Sequence, residues 1–383
     1  MTSHKEQHDI TKEKQLKIPE IYDKNLNFLI GSGASFGLFP TLQLSIKSDD
    51  DSKETIETLA TQFERSQNKT KSALLFMHYY KECIEPVLKF DATTCAADPE
   101  KKAVIENYEK FLKTILSMLR RKKINDSKSC NLFTTNYDGC IAHVADEIIK
   151  SGTDEFILND GARGFFRRHF SAKNYSSQVS QSGVFDRYST QIPQINLLHI
   201  HGSTYWKKDG DNIQIDYTSP ICKVLDSTLI PDIGNFSATL NNGSKRVSDI
   251  PNIDLTEEQI KKFWEAYKKL PIVNPTGWKF YETVFVEHYY QMLRHLSYEL
   301  ERPGTVLITF GFSFADEHIL NLIKRSLGNP ELQVFVSCFN HAEYESLSMK
   351  FNKFRNITFL KAANGDLDFS MFNSEVFTLK ESI

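Results

Sequence analysis

Hydrophobic positions gather in six short runs: "LNFLI" (26–30), "NLFT" (131–134), "INLLHI" (195–200), "TVLITF" (305–310), "QVFVS" (333–337) and "ITFL" (357–360). Each is apolar almost throughout, rich in β-branched and aromatic residues, and stopped by turn chemistry. Such runs predict parallel strands covered on both faces rather than half-exposed ones. Between several of them, apolar residues recur at three- and four-residue steps, over 72–90, 106–121 and 280–300. In the last of these the stripe is Val286, Tyr290, Leu293, Leu296 and Leu300, and a further one runs through Ile319, Leu320, Ile323 and Leu327. These stripes predict helices packed on a core.

Strands alternating with helices predict an α/β fold: a Rossmann-like parallel sheet with right-handed crossovers and helices on both faces. Three spacers, roughly 41–130, 140–194 and 204–304, are too long for simple crossovers and predict insertions, including a small helical lobe. Residues 1–24 form a polar N-terminal segment, and 25–383 read as one nucleotide-binding domain carrying those insertions.

Composition narrows the classes. The chain has 383 residues, 40% of them hydrophobic, enough for a sizeable core. Net charge is −3 with acids and bases intermixed, which gives no case for a nucleic-acid or membrane partner. The basic clusters "LRRKK" (119–123) and "RRH" (167–169) read as solvated faces. The N-terminus lacks the apolar core of a secretory signal, and no run nears the ~20 apolar residues of a membrane helix. Six scattered cysteines without a C-x-x-C pair argue against zinc and against a disulfide framework, and the expected compartment is cytoplasmic.

In open parallel sheets ligands bind beyond the carboxyl ends of the strands. There the six runs meet "GSGASFG", "TNYDG", "HGS", "GFSFAD", "CFN" and "KAANGD" in turn, and together these describe one polar crevice. Glycines in "GSGAS" (31–35) allow a tight turn that can approach a phosphate, or serve as a structural turn. They depart from G-x-G-x-x-G, since Phe36 holds the third glycine's place. Asn136 and Asp138 lie one residue apart, suited to hold a ribose or an amide-bearing base, or to form an Asx turn. His199 and His201 would share a strand face, with Leu198 and Ile200 opposite. His201 abuts Gly202 and the sheet edge, so it is the better general base, while His199 reads as a satisfied core histidine.

With these loops in this order the chain resembles the sirtuin family. The carrying residues are Gly31-Ser32-Gly33-Ala34-Ser35, Thr135-Asn136-Tyr137-Asp138, His201-Gly202, Gly311-Phe312-Ser313, Asn340 and the "NGD" of 364–366. The likeness spans about residues 26–370 as short motifs in order. The stretches "NDGARGFFRRHF", "PIVNPTGWKFYE" and "GFSFADEHI" are similar to the prokaryotic sirtuin-like group of anti-phage defence. That group's members hydrolyse NAD⁺, and stand-alone members pair with a separately encoded protein such as a HerA-type ATPase.

The resemblance implies an NAD⁺ hydrolase releasing nicotinamide and ADP-ribose, with NAD⁺ as substrate and no metal. It implies catalytic Asn136 and His201, with a phosphate cradle of Gly31, Gly33, Ala34 and Ser35. Asp138 would contact the carboxamide, Thr135 would belong to the same cofactor-binding set, and Gly311, Ser313, Asn340 and Asp366 would serve the adenosine half. A toxic activity of this kind implies gating by homo-oligomerisation or a partner. Deacetylating sirtuins carry two C-x-x-C pairs after the histidine. Here only Cys222 lies between His201 and the run at 305, which disfavours protein deacylation or ADP-ribosyl transfer. A non-catalytic NAD or ADP-ribose sensor is the remaining alternative.

Overall fold

A computed structural model describes residues 16–124, 126–182, 189–218, 225–274, 283–363 and 365–379. All six apolar runs form strands of one parallel sheet, joined by a seventh. The strands are β1 (Asn25–Ile30), β2 (Ser129–Thr134), β3 (Ile157–Asn159), β4 (Gln194–His199), β5 (Thr305–Phe310), β6 (Gln333–Ser337) and β7 (Ile357–Leu360). Their order across the sheet is β7-β6-β5-β1-β2-β4-β3. From β1 the chain works outward one way as far as β3 and β4, then returns to β5 on the other side of β1. The direction of winding therefore reverses between β1 and β5, the position where open α/β sheets form a ligand crevice.

Burial on both sides explains the continuous apolar runs. Phe28, Leu132, Leu197 and Ile308 face one layer, built on helices α1 (Pro99–Arg121) and α2 (Cys140–Ser151). Leu29, Phe133, Leu198 and Leu307 face the other, built on α3 (Thr283–Glu301), α4 (Glu317–Ser326) and α5 (His341–Lys350). Burying each such side chain contributes about 1.5–3 kcal/mol, so neither layer is dispensable. Leu16, Ile18 and Ile21 also belong to the first layer, so core packing begins well before residue 25, where the polar segment was expected to end.

One polar row crosses this apolar interior. Asn27, Asn131, Asn196 and Asn159 stand opposite one another on β1, β2, β4 and β3. Asn159 donates to Asn196 at 3.0 Å, Asn196 to Asn131 at 2.9 Å, and Asn131 to Asn27 at 2.9 Å. Every step links one amide group to the next, so the buried polar atoms satisfy each other.

Stretches 42–88 and 225–272 build a third cluster of buried residues. Its helices include Ile56–Arg65, Lys69–Tyr79, Gly234–Leu240 and Glu257–Tyr267. Local chemistry starts three of them. Thr55 and Thr256 form capping boxes with Thr58 and Gln259, and Asn68 accepts from the Lys71 amide. The middle spacer instead contributes β3 and two strands, Ala162–Arg163 and His169–Phe170, of a small antiparallel sheet completed by Trp206–Asp209 and Asn212–Ile215.

Candidate active site at the carboxyl edge of the sheet

The loops after β1, β2 and β4 meet as the sequence implied, and three of the expected residues bond directly. Ser35 Oγ donates to Asp138 Oδ2 at 2.8 Å, and Asn136 Nδ2 donates to Ser35 Oγ at 3.2 Å. Ser35, Asn136 and Asp138 are all buried. Asp138 Oδ1 accepts the Cys140 amide at 3.0 Å, so this carboxylate also sits at the N-terminal end of α2, where negative charge is favoured. Asn136 Oδ1 is buried without a protein donor. A buried amide oxygen left open costs about 1–3 kcal/mol, so it is a natural contact for a bound hydroxyl.

A fourth member was not foreseen. Tyr108, on α1, is completely buried, and its hydroxyl lies 2.8 Å from Ser35 Oγ and 3.3 Å from Asn136 Nδ2. Burial, and then the Asp138 charge, push its phenol well above the ordinary range, so it stays protonated. Its only sequence signal was membership of an apolar helical stripe, which reads as core.

The glycine loop departs from its expected role. Residues Ser32–Ser35 form one 3₁₀ turn. Gly31 N donates to Phe310 O at 3.0 Å, Gly33 N to Gly311 O at 3.0 Å, and Ala34 N to Gly31 O at 3.1 Å. Of the expected phosphate cradle of Gly31, Gly33, Ala34 and Ser35, the first three amides thus have acceptors within the protein. What the glycines allow is contact between the β1 and β5 loops. A Cβ on Gly31 would fall 2.3 Å from Gly311 O, and one on Gly33 would fall 2.7 Å from Gly311 Cα. Thr135 N likewise donates to Ile30 O, at 3.1 Å.

β4 ends at His199, so the expectation that both histidines share a strand face is also corrected. His199 is buried in the core but only half satisfied: its Nδ1 donates to the Asn136 carbonyl at 3.1 Å, its Nε2 is buried without a protein partner, and burial pushes its pKa down. His201 sits in the turn beyond. Gly202 follows at φ +81°, and a Cβ there would fall 2.0 Å from Pro271 O. Residues 271–273 strap this turn: Ser203 N donates to Pro271 O at 3.2 Å, and Val273 N to His201 O at 2.8 Å. The loop of β2 is tied to the same turn, since Tyr137 O accepts from Thr204 N at 3.2 Å and Thr204 Oγ1 at 3.1 Å. Tyr137 reaches the helical cluster as well, with its hydroxyl 2.7 Å from that of Tyr79.

The His201 ring faces a carboxylate that was missed as a site residue. Its Nε2 lies 3.2 Å from Asp316 Oδ2, an ion-pair distance without the alignment of a good hydrogen bond. Asp316 ends the "GFSFAD" loop and caps α4, its Oδ1 accepting from His318 N at 2.9 Å and Ile319 N at 3.1 Å. An aspartate ahead of a helix was legible as a cap, but its partner was not.

The expected adenosine half is less assembled. Gly311 packs on the glycine loop, Ser313 is exposed, and Asn340 Oδ1 caps α5 by accepting from Glu343 N at 3.0 Å. Asn340 and Gly365 line a cleft of about 240 Å³ beyond β6 and β7, with Cys338, Lys361 and Ala362. Asp366 is exposed beside it, and Asn364 lies outside the described residues, as does Cys222. Among the described residues no group of three or more His, Cys, Asp or Glu could hold a metal ion, and no helix is long and apolar enough to cross a membrane. No family model matches the chain, and no curated protein matches it.

Proposed function

We propose that the chain cleaves NAD⁺ at the nicotinamide–ribose bond, releasing nicotinamide and ADP-ribose. The observation that carries this reading is the convergence of Ser35, Asn136 and Asp138 next to the His201 turn, with Asn136 Oδ1 buried and open. Breaking that C–N bond leaves an oxocarbenium-like ribose and a neutral nicotinamide, so the leaving group needs no proton. The site must orient the ribose, exclude bulk water and accept one proton from the attacking water.

Asn136 Oδ1 would accept a hydrogen bond from a ribose hydroxyl or from that water, its amide held from behind by Ser35 and Tyr108. His201 would take the proton as the water oxygen bonds to the anomeric carbon, a role worth ~10²–10⁴-fold in rate. Asp138 holds Ser35 in place and keeps lone pairs for the carboxamide. Anti-phage depletion of NAD⁺, homo-oligomerisation and control by a HerA-type ATPase accompany this reading as proposals.

The test is NAD⁺ consumption by the purified chain, alone and with a candidate ATPase, resolving nicotinamide and ADP-ribose. His201→Ala and Asn136→Ala are expected to lose at least ~10²-fold in turnover while remaining folded by circular dichroism. Wild-type rates in both variants would sink the assignment. One observation favours a second reading: Ser35, Asn136 and Asp138 are buried and bonded to one another, as suits a sensor that binds NAD or ADP-ribose without turning it over. Tight nucleotide binding with no product on long incubation would select it.

A further inference from the structure

The His201–Asp316 pair carries an inference that rests on the hydrolase reading and deepens it. We propose that Asp316 is a positioning residue that holds the His201 proton on Nε2, so that Nδ1 is the nitrogen that takes the proton from water. Three observations converge. First, a carboxylate oxygen lies 3.2 Å from Nε2, and an ionised carboxylate only accepts, so the facing nitrogen is the one that bears hydrogen. Second, Asp316 is itself fixed: its side chain is only 2% exposed and its other oxygen is held by two amides at the start of α4. Third, the backbone around His201 is pinned by the strap of residues 271–273, which leaves the ring's orientation to its neighbours.

The backbone route into Asp316 is unusual as well. Phe314 adopts φ +55°, a left-handed conformation uncommon for a bulky residue, and its carbonyl accepts from Lys350 Nζ at 3.3 Å. Tyr289, whose ring centroid is 6.4 Å from that of His201, has its phenol pushed up by burial and then by the Asp316 charge. A base whose far nitrogen is oriented by a third group is the general arrangement by which nucleophiles are activated, and the wrong tautomer disables it.

Asp316→Asn separates this role from capping, because asparagine caps helices about as well as aspartate. It replaces the acceptor facing Nε2 with a group that can donate to it, which favours the proton on Nδ1. The variant is expected to keep the wild-type melting temperature and KM, and to lose ~10²–10⁴-fold in kcat. Nitrogen-15 NMR is expected to show the His201 proton on Nε2 in the wild type and on Nδ1 in the variant. Should the asparagine variant not fold, Asp316→Ser, which also caps, takes its place. Wild-type kcat in the variant, or an Nδ1-protonated His201 in the wild type, would overturn the proposal. If the wild type consumes no NAD⁺ with or without a partner, the hydrolase reading fails, and the NMR signature alone still decides the pairing.

Discussion

Asn131→Ala removes the middle of the asparagine row. The Asn27 Oδ1 loses its donor outright, and Asn196 Nδ2 loses its 2.9 Å acceptor, keeping only the Tyr175 carbonyl at 3.5 Å. Each stranded buried polar group costs about 1–3 kcal/mol, so the substitution should destabilise the chain by roughly 2–5 kcal/mol. Urea unfolding followed through Trp206, which is buried against the Phe170 and His288 rings, would measure this. The decisive comparison adds Asn27→Ala. The double variant no longer contains the stranded acceptor, so it should cost about 1–2 kcal/mol less than the sum of the singles. A single variant within about 0.5 kcal/mol of wild type, or strict additivity, would refute the view that the row is a mutually satisfied network.

Two other perturbations follow from the same geometry. Gly33→Ala forces a methyl against the Gly311 backbone and should cost about 1–3 kcal/mol and impair turnover by parting the β1 and β5 loops, and an unchanged melting temperature would count against that contact. Stability should also fall on mild acidification. Burial pushes His78 down to about 4 and His288 to about 3, so between those values and about 6.5 the unfolded chain binds more protons than the folded one. The neutral-histidine contribution is therefore complete above pH 6.5. Below it, each histidine contributes a loss approaching about 1.4 kcal/mol per pH unit. Urea midpoints compared at pH 7.5 and 5.5 test this, and equal midpoints would contradict it.

How much was legible in the sequence depended on whether the signal was local. Six strands were readable as continuous apolar runs, which are buried almost throughout in β1, β2, β4 and β5 and less so in β6 and the edge strand β7. β3 was not: it has three residues, and its place comes from Pro193 O, which accepts from Ile157 N, and from Asn159 in the polar row. Asn27, Asn131 and Asn196 gave no sign of the row they form, since alignment across strands is a property of register and not of any one segment. Strand-end chemistry found Ser35, Asn136, Asp138 and His201. It could not tell whether the amides of Gly31 and Gly33 face outward or toward the β5 loop, because glycine serves either purpose. Tyr108 was hidden because its ring is core and only its hydroxyl is in the site. Asp316 was hidden because a cap and a histidine's partner look alike until distant loops meet.

The helical cluster has a consequence for the order in which the chain assembles. Its two stretches, 42–88 and 225–272, are separated in sequence by β2, β3 and β4. Neither stretch holds the whole of that core, and the loop between them closes at least entropic cost once the intervening strands are already folded against β1. The loop-closure argument therefore expects the lobe's core to form late, after the sheet that separates its two stretches. The Tyr79–Tyr137 contact and the 271–273 strap link it to the Asn136 and His201 loops. The part expected to come together last is therefore the part that completes the walls of the site.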